Sequence, residues 1–190
     1  MIDTSDAVSQ NHMRQISSLI LADLEGYNIG QNKVRVSFVS YGDSSKVLLP
    51  LASGNDKVNI ISKLSYLQKR GGLADITEAL RLVNSDVLPN ARPNVPVTIV
   101  LFMASPVDST VEKLVIDEAN RIKQKDVRII VVGFSKDVFS QLIMGITNVP
   151  NGNVFPANGG EIADILGILN LAIVSASGMI AFQLFAFSCV

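Results

Sequence analysis

The residues with the most chemical capacity stand at the start of the chain. Asp3 and Ser5 put a carboxylate and a hydroxyl two positions apart, directly after Met1-Ile2. The stretch reads as the tail of a buried strand running into an acidic, hydroxyl-bearing loop. The spacing is that of a D-x-S-x-S cation loop. The third position of that spacing is Ala7, which has no side-chain oxygen. The competing reading of Asp3 and Ser5 is structural: both bond readily to nearby backbone groups at the start of a helix.

Other reactive groups are sparse. The single histidine, His12, falls on a helix start with no Cys or acidic partner at ligand spacing and reads as a surface residue. The single cysteine, Cys189, excludes an internal disulfide and lies in an apolar tail, where a thiol is inert. The sequence has no G-x-G-x-x-G after a strand, no G-x-x-x-x-G-K-[ST] and no G-x-S-x-G, so the usual dinucleotide, phosphate and nucleophile cradles are missing. With 16 Lys+Arg against 17 Asp+Glu, no strong field points toward nucleic acid or anionic lipid. These residues argue for a binding module and against an enzyme.

The elements that must position these groups follow from periodicity. Val8 to Leu24 has helical spacing, with Val8, Met13, Ile16, Leu19, Ile20 and Leu24 on one stripe, Asp6 as N-cap and Gly26 as stop signal. Val34 to Tyr41 alternates at period two and reads as a strand. The turn Gly42–Ser45 leads to a second strand, Lys46 to Leu51, in an antiparallel hairpin whose Pro50 suits an edge. Lys57 to Gln68 is a short amphipathic helix carrying Val58, Ile61, Leu64 and Leu67, and Gly71-Gly72 separates it from another helix, Asp75 to Val83. Val97 to Met103 is a continuous apolar run of strand length, as expected of a central parallel strand covered on both faces, and Val127 to Gly133 is the next strand.

Between those runs lies a helix, Val111 to Lys125, with Val111, Leu114, Val115, Ala119 and Ile122 inward. Asp137 to Ile146 reads as a helix, Asn153 to Phe155 as a short edge strand, and Glu161 onward as the last helix. The alternation predicts a doubly wound α/β domain, with a mostly parallel central sheet, one antiparallel edge strand and helices on both faces.

Several of these stretches carry a specific resemblance. Val34-Arg35-Val36-Ser37-Phe38-Val39-Ser40-Tyr41-Gly42-Asp43 fits V-R-V-x-x-V-x-Y-x-D. Gly71-Gly72 with Ala79-Leu80 fits G-G-x-T-x-T-G-x-A-L, and Ala91-Arg92-Pro93-Asn94-Val95-Pro96 fits A-R-P-x-V-P before an apolar strand. Together, in order over residues 1–176, they resemble von Willebrand factor A-type domains, most like those of collagen VI and matrilins. The resemblance implies a Rossmann-like fold and a Mg²⁺ or Mn²⁺ ion at a metal-ion-dependent adhesion site above the carboxyl edge of the sheet. The family's ligand positions fall on Asp3, Ser5, Ala7, Ala74 and Ala104, and alanine supplies no ligand at three of them. A degenerate site with no bound cofactor is therefore expected, unless Asp6, Asp75, Thr77 or Asp108 substitutes and leaves weak Mg²⁺ or Mn²⁺ binding.

The resemblance also implies a non-enzymatic protein-binding domain of adhesion or extracellular-matrix type. Its partners would be matrix proteins such as collagens, met through loops holding Asp3, Ser5, Asp6, Asp75, Thr77, Ser105 and Asp108. An intracellular scaffold is the rival, because the opening residues do not read as a signal peptide. The two ends raise further expectations. The family's first strand has about five apolar residues before its Asp, whereas only Met1 and Ile2 precede Asp3, so the chain reads as a fragment with a truncated first strand. Residues 177–190 form an apolar tail with three open readings: a membrane tail, a frayed end, or a surrogate strand in which Met179 to Phe185 fills the place of the short first one.

Overall fold

The computed structural model describes residues 1–104, 106–134, 141–148 and 154–156. In chain order these form β1 (Ile2–Asp3), α1 (Gln10–Glu25), β2 (Phe38–Tyr41), β3 (Lys46–Leu49), α2 (Lys57–Ser65) and α3 (Ile76–Leu82). There follow β4 (Val97–Met103), α4 (Glu112–Lys123), β5 (Val127–Gly133), α5 (Gln141–Ile146) and β6 (Val154–Pro156). A π turn, Val83–Val87, and a 3₁₀ turn, Leu88–Asn90, prolong α3. The sheet has the order β3-β2-β1-β4-β5-β6, parallel throughout except for the antiparallel edge strand β3. This is the doubly wound arrangement expected.

β4 and β5 form its spine, paired from Val97 opposite Val127 to Met103 opposite Gly133. Their side chains alternate between two cores, as successive residues of a strand must. Ile130 and Val132 join Ile2, Phe102 and the buried stripe of α1, while Ile129 and Val131 join Leu101, Met103 and the inner faces of α3, α4 and α5. A continuous apolar run is what such double burial requires. The six residues expected to form the stripe of the first helix are all buried.

Several details differ from the sequence expectation. α1 starts at Gln10, and its cap is Ser9, whose hydroxyl accepts the His12 N–H at 3.0 Å, not Asp6. A turn closed by Val8 N–H on the Ser5 carbonyl delays the helix. On α2 the buried pair is Ile60 and Leu64, four apart on one face. Val58 and Ile61 are exposed, because so short a helix docks through a single turn-to-turn pair. On α4, Val111 and Leu114 are also exposed, and Glu118 takes a buried place beside Val115, Ala119 and Ile122. Glu118 tolerates burial because Arg81 and Arg121 bond the same carboxylate oxygen at 2.9 and 2.8 Å.

The largest difference concerns β2. The alternating pattern begins at Val34, but only Phe38–Tyr41 is strand. Among the described residues no strand lies beside 34–37, because β1 reaches only from Ile2, opposite Ser40 and Phe102. Val36 N–H turns instead to the Gly54 carbonyl at 2.8 Å. The helix expected over 137–146 is described from Gln141, and β6 begins at Val154. The helix expected from Glu161, the tail 177–190 and Cys189 lie outside the described residues.

Candidate functional site

The carboxyl ends of β1, β2 and β4 deliver three loops to one edge of the sheet. The first loop is built around Asp3. Its carboxylate is buried and spans two neighbours: Oδ1 accepts the Ser5 N–H and Oδ2 the Ala104 N–H, each at 3.0 Å. The first bond folds the loop as an Asx turn; the second ties it to the end of β4. Thr4 is also buried. Its N–H and hydroxyl both reach the Tyr41 carbonyl, at 2.7 and 2.8 Å, and its own carbonyl accepts the N–H groups of Arg70 and Gly71. Tyr41, at the end of β2, donates its hydroxyl to the Phe102 carbonyl at 2.6 Å, past the end of β1. Burial, and then the charge of Asp3, push that phenol well above its ordinary pKa, so it stays a donor.

The Gly71-Gly72 loop closes over this edge. Asp6 N–H donates to the Gly72 carbonyl at 2.9 Å, and Gly72 N–H donates to Asp6 Oδ2 at 3.0 Å. Lys69 Nζ adds a bond to the Asp6 carbonyl and lies 3.4 Å from Oδ1. Both glycines have positive φ, 82° and 70°, and a Cβ on Gly72 would meet Asp43 Cβ at 2.3 Å. The loop therefore needs glycine for backbone angle and for clearance.

The structure brings most of the sequence-derived site residues together. Asp3, Ser5, Asp6 and Ala104 meet at the carboxyl edge, and the Gly71-Gly72 segment leads to Ala74 and Asp75 beside them. Ser5 and Ala104 are buried, Ala74 is half-buried and Ala7 is exposed. Asp75 is the cap of α3, accepting the Glu78 N–H at 2.9 Å, and Thr77 is buried in the first turn. Asp108 is exposed and accepts both the N–H and the hydroxyl of Thr110, at 2.8 and 2.6 Å, and these bonds hold its carboxyl below the usual range. Ser105 lies outside the described residues. Among the described residues, no cluster of three or more His, Cys, Asp or Glu side chains is placed to hold a metal ion. His12, expected at the surface, is half-buried, with its ring 5.6 Å from that of Phe134.

Sequence reasoning passed over Thr4 and Tyr41. The signal for Thr4 was only its place between Asp3 and Ser5, where strand alternation turns its hydroxyl away from theirs.

The profile of the von Willebrand factor type A domain matches residues 1–166. The chain belongs to this family. Solved structures agree in fold. Proximal thread matrix protein 1 from the mussel byssus superposes with a TM-score of 0.77 at 16% identity, over 90% of this chain and 44% of that one. Manganese-loaded TRAP protein of Plasmodium vivax gives 0.73 at 17% identity, over 90% and 70%. The mussel protein with a zinc-occupied MIDAS motif gives 0.74 at 14%, over 88% and 44%. The chain thus spans less than half the length of the mussel protein. A-type domains commonly mediate protein binding and are typically non-enzymatic. In this A domain, Asp3 ties the first loop to the end of β4 at the carboxyl edge of the sheet.

Proposed function

We propose that this A domain is a non-enzymatic protein-binding module of adhesion or extracellular-matrix type that works without a metal. The observation that carries the reading is the state of the five ligand positions. Asp3 and Ser5 alone have side-chain oxygens; Ala7, Ala74 and Ala104 have none. Each oxygen of the Asp3 carboxylate already takes a backbone N–H. The carboxylates weighed as substitutes have other work: Asp6 bonds Gly72 and Lys69, Asp75 caps α3, and Asp108 holds Thr110. One carboxylate and one hydroxyl do not compete with water for a dilute hard cation, so this donor set does not fit Mg²⁺ or Mn²⁺.

Partner contact then falls to the exposed side chains of the carboxyl-edge loops, chiefly Asp6, Asp75 and Asp108, framed by a rigid base. Collagen VI-like and matrilin-like character, an extracellular setting and collagenous partners come from the sequence resemblance alone; the thread matrix protein matched in fold is in keeping with a matrix setting. The test has two parts: calorimetric titration of the folded domain with Mg²⁺ and Mn²⁺, and retention on immobilised collagen with and without chelator. No heat in the micromolar range and chelator-insensitive retention are expected. Micromolar cation binding overturns the metal-free reading, and failure to bind collagen overturns the choice of partner.

A further inference from the structure

The loop that closes the carboxyl edge displays an apolar side chain that its own fold does not bury. Leu73 is 88% exposed, the highest value of any large apolar residue described. Its backbone is held on both sides. Gly71 N–H bonds the Thr4 carbonyl, Gly72 and Asp6 exchange two bonds, and Asp75 N–H reaches the Gly42 carbonyl at 3.3 Å. An apolar side chain fixed outward gives up little freedom on docking, which suits it to anchor a contact. Its immediate border is acidic: Asp43 lies against Gly72, and Asp75 follows two positions on. Of the cations in this loop, Lys69 is paired with Asp6, and Arg70 follows it.

A surface of the opposite character lies on one face of the sheet. α1 runs from the carboxyl edge back to the start of β2, and α2 returns from the end of β3 to the carboxyl edge. The two are thus antiparallel, and they lie side by side over one core. Leu21 follows the buried Ile20 and Ile61 follows the buried Ile60, so each stands about 100° round its helix from the core, in the same sense. The right-handed crossover from β1 to β2 turns those two flanks toward each other. Leu21 and Ile61 therefore line the seam between the helices, with Val58 one turn from Ile61 at its lip; they are 36%, 48% and 72% exposed. Cations dominate the surroundings. Lys57 and Lys63 are the only charged residues of α2, and Arg14 shares the Leu21 face of α1. The acids nearby are Glu25, one turn beyond Leu21, and the cap Asp56, which accepts the Val58 N–H.

We propose that Leu73 of one copy docks into the α1–α2 seam of a second copy of this chain. Both halves of a complementary pair stand on the same molecule: a protruding leucine bordered by Asp43 and Asp75, and an apolar seam bordered by Arg14 and Lys57. A loop tip fits a seam between helices in shape as well as in charge. Anchor and seam are different surfaces, so the contact is heterologous, and each copy can offer one and receive the other. Copies then add head to tail. The contact is small and its rim is charged, so affinity is low and salt weakens it further. This goes beyond the proposed function, because it gives the carboxyl edge a partner of its own kind.

Sedimentation velocity of the full chain, without collagen or added cation, tests this. At low salt the weight-average sedimentation coefficient should rise with protein concentration, and raised ionic strength should return it toward the monomer value. Leu73→Ser and Ile61→Ser each remove one half of the contact, and each alone should associate at least about tenfold more weakly. Mixed together, they should form a one-to-one dimer that grows no further, because the Ile61→Ser copy keeps its anchor and the Leu73→Ser copy keeps its seam. Val58→Ser, at a more exposed position, takes the place of Ile61→Ser if that change lowers the urea midpoint. A parent chain that stays monomeric at every concentration overturns the proposal. So does association that Leu73→Ser leaves unchanged, which marks a contact elsewhere on the chain. A mixture of the two variants that yields no dimer also overturns it.

Discussion

Asp3 Oδ2 and the Ala104 N–H are joined at 3.0 Å although 101 positions separate them in the chain. The sequence resemblance implies that Ala104 occupies the position of a metal-ligating carboxylate. Here the backbone of that residue satisfies the Asp3 side chain directly, so a carboxylate suited to a cation serves as a brace between β1 and β4. Function and stability therefore divide in a testable way.

Asp3→Ala removes the acceptor for two buried N–H groups, those of Ser5 and Ala104. The expected loss is about 2–5 kcal/mol of folding stability. Urea denaturation of the variant and parent, each with and without chelator, measures it. The loss should be the same in both conditions; a loss that disappears with chelator would mean that Asp3 stabilises the parent through a bound cation.

Restoring ligands should create what the parent lacks. Ala7→Ser, Ala74→Thr and Ala104→Asp together supply the three missing side-chain oxygens. Without cation, the new carboxylate beside Asp3 repels it and lowers stability. With Mn²⁺ at a hundredfold excess over Kd, binding returns about 2.7 kcal/mol. A denaturation midpoint that rises with Mn²⁺ in the triple variant and stays fixed in the parent is the expected result. No Mn²⁺ response in the triple variant would count against the residue-by-residue placement of the site.

Asp23 gives the domain a pH dependence unrelated to the carboxyl edge. Burial raises its pKa from 3.8 to about 6, against the opposing bond from the Tyr27 hydroxyl at 3.3 Å. A folded-state pKa above the unfolded one means that the folded protein holds more protons between the two values, so stability falls as pH rises. The contribution is complete below about pH 4 and lost as pH passes 6. Urea midpoints measured from pH 4 to 7 should carry this component, and Asp23→Asn should remove it.

Glu118 is buried between two arginines that are themselves largely exposed. Glu118→Ala leaves both guanidinium groups in water, so the loss is that of packing and of shared bonds, about 1–2 kcal/mol. A double-mutant cycle with Arg81→Ala, read by thermal or urea denaturation, should show coupling below about 1 kcal/mol. Coupling of 3 kcal/mol or more would mean that Arg81 is effectively desolvated.

The parts of the fold readable from sequence were those with one physical explanation. Apart from Thr98 and Arg128, Val97–Met103 and Val127–Gly133 are apolar because both faces are covered, and their limits emerged as expected. Where two residues offered the same chemistry, the sequence could not choose: Asp6 and Ser9 are both good caps, and the turn at Ser5–Val8 decided for Ser9. The inward turn of Glu118 depended on Arg81, on a different helix. The opening strand pattern at Val34 was legible, but a strand needs a neighbour, and periodicity does not show whether one is present. In the site, Asp3 and Ser5 were visible by spacing. Thr4, whose contacts are with residues 41, 70 and 71, gave no local sign beyond its place between Asp3 and Ser5.

Gly72 offers the sharpest test of how the carboxyl edge is held. Its φ of +70° is costly for any residue with a Cβ, and the added carbon would stand 2.9 Å from Asp43 Cα as well as clashing with the Asp43 side chain. Gly72→Ala must therefore move the 71–72 loop away from Asp43, which breaks the paired bonds between Asp6 and Gly72. The expected loss is about 2–4 kcal/mol, combining backbone strain with two lost hydrogen bonds. The effect should also be local. Amide exchange should rise around residues 5–8 and 70–75 while β4 and β5, paired over seven registers, keep their protection. Loss of partner binding in Gly72→Ala with the β4 and β5 amides still protected would place the binding surface on these loops. Unchanged binding with the loops freed would move it to the flanking helices.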